Sequence, residues 1–315
     1  MDKIEVIDRI LKMYYEYGFP SVVDKNLPIN DEFSLNESFN ISCDFLKQYD
    51  PNIYQMYLNI RSSAKGSYHF TTKEIDKDIE NEYNVFTGCV SIVPTNTIAD
   101  VYSQCHELIH KIDAPSDFEK SNLDYSEVAP MTLELFINEY LVDNGISYEE
   151  SMNYIYNRMI YAIDNAYFIR YIEFLKSLKL GVFSIFLNAN PAIFKERIIA
   201  SINELPDYLK FNFQAKCDEY NKMLSRLGYL IYGFDQKITY RYVNAFFLAP
   251  YLFAKNDHEL IKTINRSSYD TSINIPEIDY NEAIMYLDKH FKLLKSYRDY
   301  IIPSVQDNLV SGKTK

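Results

Sequence analysis

The chain is 315 residues long, 47% hydrophobic and formally charged −12, enough to bury a sizeable core in one large domain or two smaller ones. An acidic balance with no Lys/Arg cluster argues against nucleic acid and anionic membranes as partners, because both repel a negative surface. Cys43, Cys89, Cys105 and Cys217 form no C-x-x-C pair, Asp2, Glu5 and Asp8 break any signal-peptide core, and no apolar run approaches a membrane span, so a cytoplasmic protein is expected.

With only eight Gly and eleven Pro, the chain is expected to be mainly α. Residues 1–18 read as an amphipathic helix ended by Gly18 and Pro20, and 19–34 as a connecting segment. Ser34 and Glu37 form a capping box before a helix to about Gln48, and Asp50-Pro51 opens another over 51–62. Gly66 to Phe70 and Val85 to Val93 have the β-branched and aromatic content of short strands, with a charged, exposed stretch from Lys73 to Glu82 between them. From Thr97 onward helices are expected over 97–112, from Ser126 to the Asn144-Gly145 C-cap pair, and from a Ser147/Glu150 capping box to Leu178. Further helices are expected near 191–202, 205–227, 237–255 and 279–298, the last two separated by a polar loop. The expected organisation is a single domain over 1–310, with 1–30 as an N-terminal helix and connector and 311–315 as a disordered tail.

The residues that carry chemistry begin with His106-Glu107-Leu108-Ile109-His110. Positions i and i+4 lie about 40° apart on a helix, so both imidazoles can turn toward one ion. Neutral imidazole suits zinc, and Glu107, about 100° around the helix, sits beside the metal where it can take a proton from an attacking water. Apolar Ile98, Val101, Leu108, Ile109 and Ile112 imply burial, and burying two histidines and a glutamate without a compensating ion is costly. A catalytic site needs a third protein ligand and an open fourth position. Asp113 and Asp117 are close in sequence but follow from no helical spacing. Glu127 and Glu134, seven apart, share a face of the next helix, where one can ligate while the other orients a histidine. Glu127 alone fits equally well as a carboxylate compensating the helix dipole.

With Glu127-Val128-Ala129-Pro130 through Glu134 following the histidine helix, the sequence resembles the thimet oligopeptidase and oligoendopeptidase F group of zinc metallopeptidases. That group's pattern is His-Glu-x-x-His followed by Glu-x-Ala-[Ser/Pro]-x-x-x-Glu. Lys65-Gly66-Ser67-Tyr68, Val93 to Val101 and Tyr240-Arg241-Tyr242-Val243-Asn244-Ala245 resemble its other landmarks, and the likeness covers about 30–300, the family's catalytic half. The resemblance implies a helical, zincin-like catalytic domain with a small β-sheet beside the zinc helix. It implies one zinc per chain on His106, His110 and Glu127, Glu107 as general base, and Glu134 as a support to the ligands. Tyr242 would donate to the oxyanion, with Tyr240 as its neighbour. Read from the residues themselves, His69 beside Gly66 and Tyr68 is a candidate substrate contact lining the cleft, with a surface position fitting it equally well.

Two departures accompany the likeness. Where the family places a histidine about ten residues before Tyr242, this chain has Tyr232, which can donate a hydrogen bond but is not a cation near pH 7. The family's N-terminal half has no counterpart here, so the cleft is expected to be open, or to be walled by a partner or another copy of the chain. The expected function is a zinc-dependent endopeptidase acting on oligopeptides or a specific protein. The alternative is a zinc-binding regulatory protein that has kept the scaffold and lost turnover. A third possibility is another His-Glu-x-x-His lineage, such as a regulator-cleaving peptidase, which would need neither Glu134 nor Tyr242.

Overall fold

A computed structural model of the chain describes residues 2–21, 27–62, 68–70, 82–84, 89–112, 123–178, 191–227 and 236–310. The chain is mainly helical. Its contacts gather into two compact units, one of Met1–Lys25, Met159–Val243 and Ile284–Lys315, the other of Asn26–Arg158 and Asn244–Ala283.

In the first unit, helix α1 (Lys3–Glu16) buries Val6, Ile7, Ile10, Leu11, Met13 and Tyr14, the three- and four-residue spacing of an amphipathic helix. Gly18 ends it with φ 66°, in the left-handed region open to glycine, while the Phe19 and Gly18 amides donate to the Tyr14 and Tyr15 carbonyls. The core is rich in tyrosine. Tyr171 lies 5.1 Å from Phe213 and 5.3 Å from Tyr220, ring to ring, and its hydroxyl donates to Asn221. Each buried phenol needs such a partner, and Tyr220 finds one in Asp164 at 2.8 Å.

In the second unit, the Ser34/Glu37 capping box forms in both directions and starts α2 (Leu35–Tyr49), followed by α3 (Pro51–Ser62). Strands β1 (Tyr68–Phe70), β2 (Glu82–Asn84) and β3 (Cys89–Ile92) make a sheet in the order β1-β3-β2. Tyr68 and Tyr83 both pair with Val90, from a parallel and an antiparallel neighbour respectively. β2 starts at Glu82, the end of the stretch read as charged and exposed. Helix α4 (Ala99–Ile112) packs against α2, β2 and β3. Its start is fixed by the buried Asp100 carboxylate, which accepts from the Thr95 and Asn96 amides and the Thr95 hydroxyl at 2.8–2.9 Å.

A 3₁₀ turn (Leu123–Tyr125) leads into α5 (Val128–Asp143), whose residues Val128 to Glu134 are all buried. A helix apolar around its circumference sits inside a core rather than on a surface. It ends as the Asn144-Gly145 pair predicts: Gly145 has φ 67°, and the Ile146 and Gly145 amides donate to the Leu141 and Val142 carbonyls. Helix α6 (Tyr148–Ser177) follows, but Ser147 has φ 40°, outside the extended backbone that an N-cap side chain needs. Then come α7 (Pro191–Ile202), α8 (Asp207–Leu227) and α9 (Gln236–Lys255).

The polar loop expected next is instead a helix, α10 (His258–Tyr269), capped by the Asp257 carboxylate on the Glu259 and Leu260 amides. Its polar content hid it; the buried stripe Ile261, Ile264, Asn265, Ser268 and Tyr269 shows the helical period. The final helix α11 (Tyr280–Val310) runs well past the expected end at 298. Among the described residues no helix is long and apolar enough to cross a membrane.

Candidate metal centre

α4 places His106 and His110 one turn apart, with their rings 4.9 Å apart and edge to face. Both are buried, 6% and 8% exposed. Glu127 reaches them from the first residue before α5, and its side chain makes no capping bond to that helix. Its carboxylate thus turns to the histidines rather than bonding to its own helix's amides. His106 Nε2 lies 3.1 Å from Glu127 Oε2, His110 Nε2 3.5 Å from the same oxygen, and the two Nε2 atoms 3.2 Å from each other.

These three atoms form a buried triangle that can hold a metal ion. A tetrahedral zinc with bonds of about 2.0–2.1 Å would set its ligand atoms about 3.4 Å apart, so the triangle has the dimensions of one face of such a site. Two imidazole nitrogens and one carboxylate oxygen are also a donor set that zinc accepts.

The far nitrogen of each imidazole is held as well. His106 Nδ1 lies 2.8 Å from Glu134 Oε1, and His110 Nδ1 lies 2.7 Å from the Tyr269 hydroxyl. With Nε2 facing an ion, Nδ1 carries the proton and donates, which fixes the tautomer that presents a lone pair to the metal. Glu134 is in turn gripped by Arg158, whose Nε and Nη2 donate to its two oxygens at 3.0 and 2.8 Å, while Tyr154 donates to Oε1 at 3.1 Å. Burial pushes the Glu134 carboxyl up, but Arg158 and His106 outweigh it, and the acid is held below its ordinary range.

The charges leave room for a dication. Glu107, Glu127 and Glu134 are 7%, 2% and 2% exposed. Arg158 pairs with Glu134 at 2.8 Å, and a divalent ion held by His106, His110 and Glu127 would set positive charge against the buried Glu127 carboxylate. Without metal, a proton plays part of that role. Burial pushes the His106 pKa down, but the hydrogen bonds its imidazolium donates to Glu127 and Glu134, with the Glu134 and Glu107 charges, more than reverse this and raise it to about 9.

The structure thus brings together His106, His110, Glu127 and Glu134, with Glu107 buried next to His106 on α4. Tyr240 and Tyr242 belong to the first unit, two positions apart on α9 and so about 200° around it, which means that the two cannot face one site. Tyr240 is buried with the Lys3 ammonium 4.8 Å over its ring; the Tyr242 hydroxyl accepts from Arg241 at 2.9 Å. Tyr68 and His69 lie in β1, while Gly66, Tyr232, Asp113, Asp117 and the 311–315 tail fall outside the described residues.

Tyr269, Arg158 and Tyr154 were not foreseen. Tyr269 sat in the segment read as a loop, and Arg158 is one charge among many on a long helix, with no spacing that ties it to Glu134. Compared with known proteins, the chain matches no family model, no curated protein and no solved structure.

Proposed function

We propose that the protein is a zinc-dependent endopeptidase of the thimet oligopeptidase and oligoendopeptidase F type. The observation that carries this reading is the ligand triangle of His106, His110 and Glu127, with Glu107 placed between the two histidines on the same helix. A bound zinc supplies Lewis-acid polarisation of a substrate carbonyl and a water of lowered pKa.

The chain's own residues do the rest. Glu107 accepts the proton of the attacking water and passes it to the leaving amine. Glu134, braced by Arg158 and Tyr154, keeps His106 in the ligating tautomer, and Tyr269 does the same for His110. β2, an edge of the described sheet that packs against α4, is where an extended substrate would add as a further strand.

The test combines metal content with one substitution. Purified protein should carry about one zinc per chain and cut a quenched-fluorescence peptide library, and Glu107→Gln should abolish cutting while retaining the metal. Zinc-loaded wild-type protein that is inert on both peptide and protein pools would instead identify a zinc-binding regulatory protein.

A further inference from the structure

A second cleft in the same unit, of about 550 Å³, is lined by residues that the metal centre does not use. It lies on the face of α5 opposite the centre. Glu127 and Glu134 project on one side of that helix, and Phe136 and Asp143, about 180° around from them, line the cleft. Its walls are aromatic: Tyr49 stacks on His258 at 4.4 Å and meets Phe136 at 5.3 Å, and Phe136 meets Phe253 at 4.8 Å.

Among the described residues its carboxylates are Glu139 and Asp143, both exposed and one helical turn apart on α5, and no described lysine or arginine lines it. Among the described residues neither acid makes an ion pair with a basic side chain. Of the neighbouring basic groups, Lys255 pairs with Glu282 at 2.7 Å and Lys262 with Asp50 at 3.0 Å, while Lys47, in the last turn of α2, is not among the lining residues. Three helices also direct their C-termini here. α2 contributes Gln48 and Tyr49, α5 contributes Asp143 and Asn144, and α9 contributes Phe253 and Ala254. Each terminus carries partial negative charge. The opposing N-terminus of α10, at His258, is capped by the Asp257 carboxylate.

We propose that this cleft docks a basic, arginine-bearing segment of a polypeptide, at a site distinct from the metal centre. A planar guanidinium stacks on aromatic faces and forks onto carboxylates, so it matches both the walls and the acid pair. Two carboxylates a turn apart, with Cβ atoms about 5–6 Å from each other, are spaced to embrace one such group. The cleft is open to solvent and its volume lies within the range of small-ligand sites, so it admits a side chain presented on a chain rather than enclosing a free ion. The net charge of −12 would draw a basic segment toward the molecule.

The test is fluorescence anisotropy of a labelled hexapeptide containing two arginines, against the full-length protein at low salt, with peptide integrity followed by mass spectrometry. The arginine peptide should bind, its citrulline counterpart should bind about tenfold more weakly, and half-molar salt should weaken the complex. Glu139→Gln with Asp143→Asn should weaken binding at least fivefold while zinc content and circular dichroism stay unchanged. No binding, equal binding of the citrulline peptide, or equal binding by the double variant would overturn the proposal. Competition by arginine amide at the same concentration as the peptide would overturn its polypeptide part.

Discussion

Among single side chains, the Nδ1 partners of the two histidines decide how well the site is organised. Tyr269→Phe removes the acceptor for the His110 Nδ1–H and leaves that donor buried; zinc affinity should fall by about tenfold, measured by competition with a chromophoric chelator. Glu127→Ala should cost far more affinity than Asp117→Ala, and the reverse ranking would sink the ligand set.

His106 gives a pH prediction for the metal-free protein. Its pKa is raised to about 9 in the fold against 6.5 in the unfolded chain. The stability it contributes is therefore full below pH 6.5 and lost as the pH rises to about 9, so chelated protein should melt at a lower temperature at pH 9.5 than at pH 6. Zinc taken up at pH 7 should then release a proton from His106. Calorimetry in buffers of different ionisation enthalpy reads that release directly.

Two elements can be tested apart from activity. The end of α5 depends on Gly145 at φ 67°, where an added Cβ would meet nothing within 4 Å. The penalty of Gly145→Ala is thus backbone strain alone, about 1 kcal/mol in a urea titration. The tie between α5 and α6 is ionic. Arg158→Met strands Glu134, which is 2% exposed, and should destabilise by about 3 kcal/mol, with Glu134→Gln in the same chain recovering part of the loss.

At this scale the sequence was legible where the signal is local. The Ser34/Glu37 box, the Gly18 and Gly145 stops and the helix bearing His106 and His110 all depend on residues within a few positions of one another. α10 is hard to read as a helix because its sequence is largely polar, and Ser147 takes φ 40°, a conformation its capping-box spacing does not predict.

For the whole molecule, the centre draws on α4, α5, α6 and α10, so a bound ion ties together segments far apart in sequence. Zinc at a thousand times its dissociation constant would stabilise the fold by about 4 kcal/mol. Chelation should therefore reduce amide protection in 26–158 and 244–283, the segments of the unit holding the centre, more than in the other unit. Hydrogen exchange followed by mass spectrometry reads this, and equal loss in both units would show that the ion does not act through the centre.

The sequence by itself determined the helical character, the His106-x-x-x-His110 pair with Glu107 between, and Glu127 and Glu134 as the carboxylates to examine. Helical period and capping chemistry act over three or four residues, and such short-range rules can be read without a fold. Only the tertiary structure decided that Glu127 turns to the histidines rather than to its own helix, that Glu134 is held by Arg158, and that Tyr269 supports His110. Those pairings join residues 17 to 159 positions apart, and no local pattern records which distant partner satisfies a buried polar group.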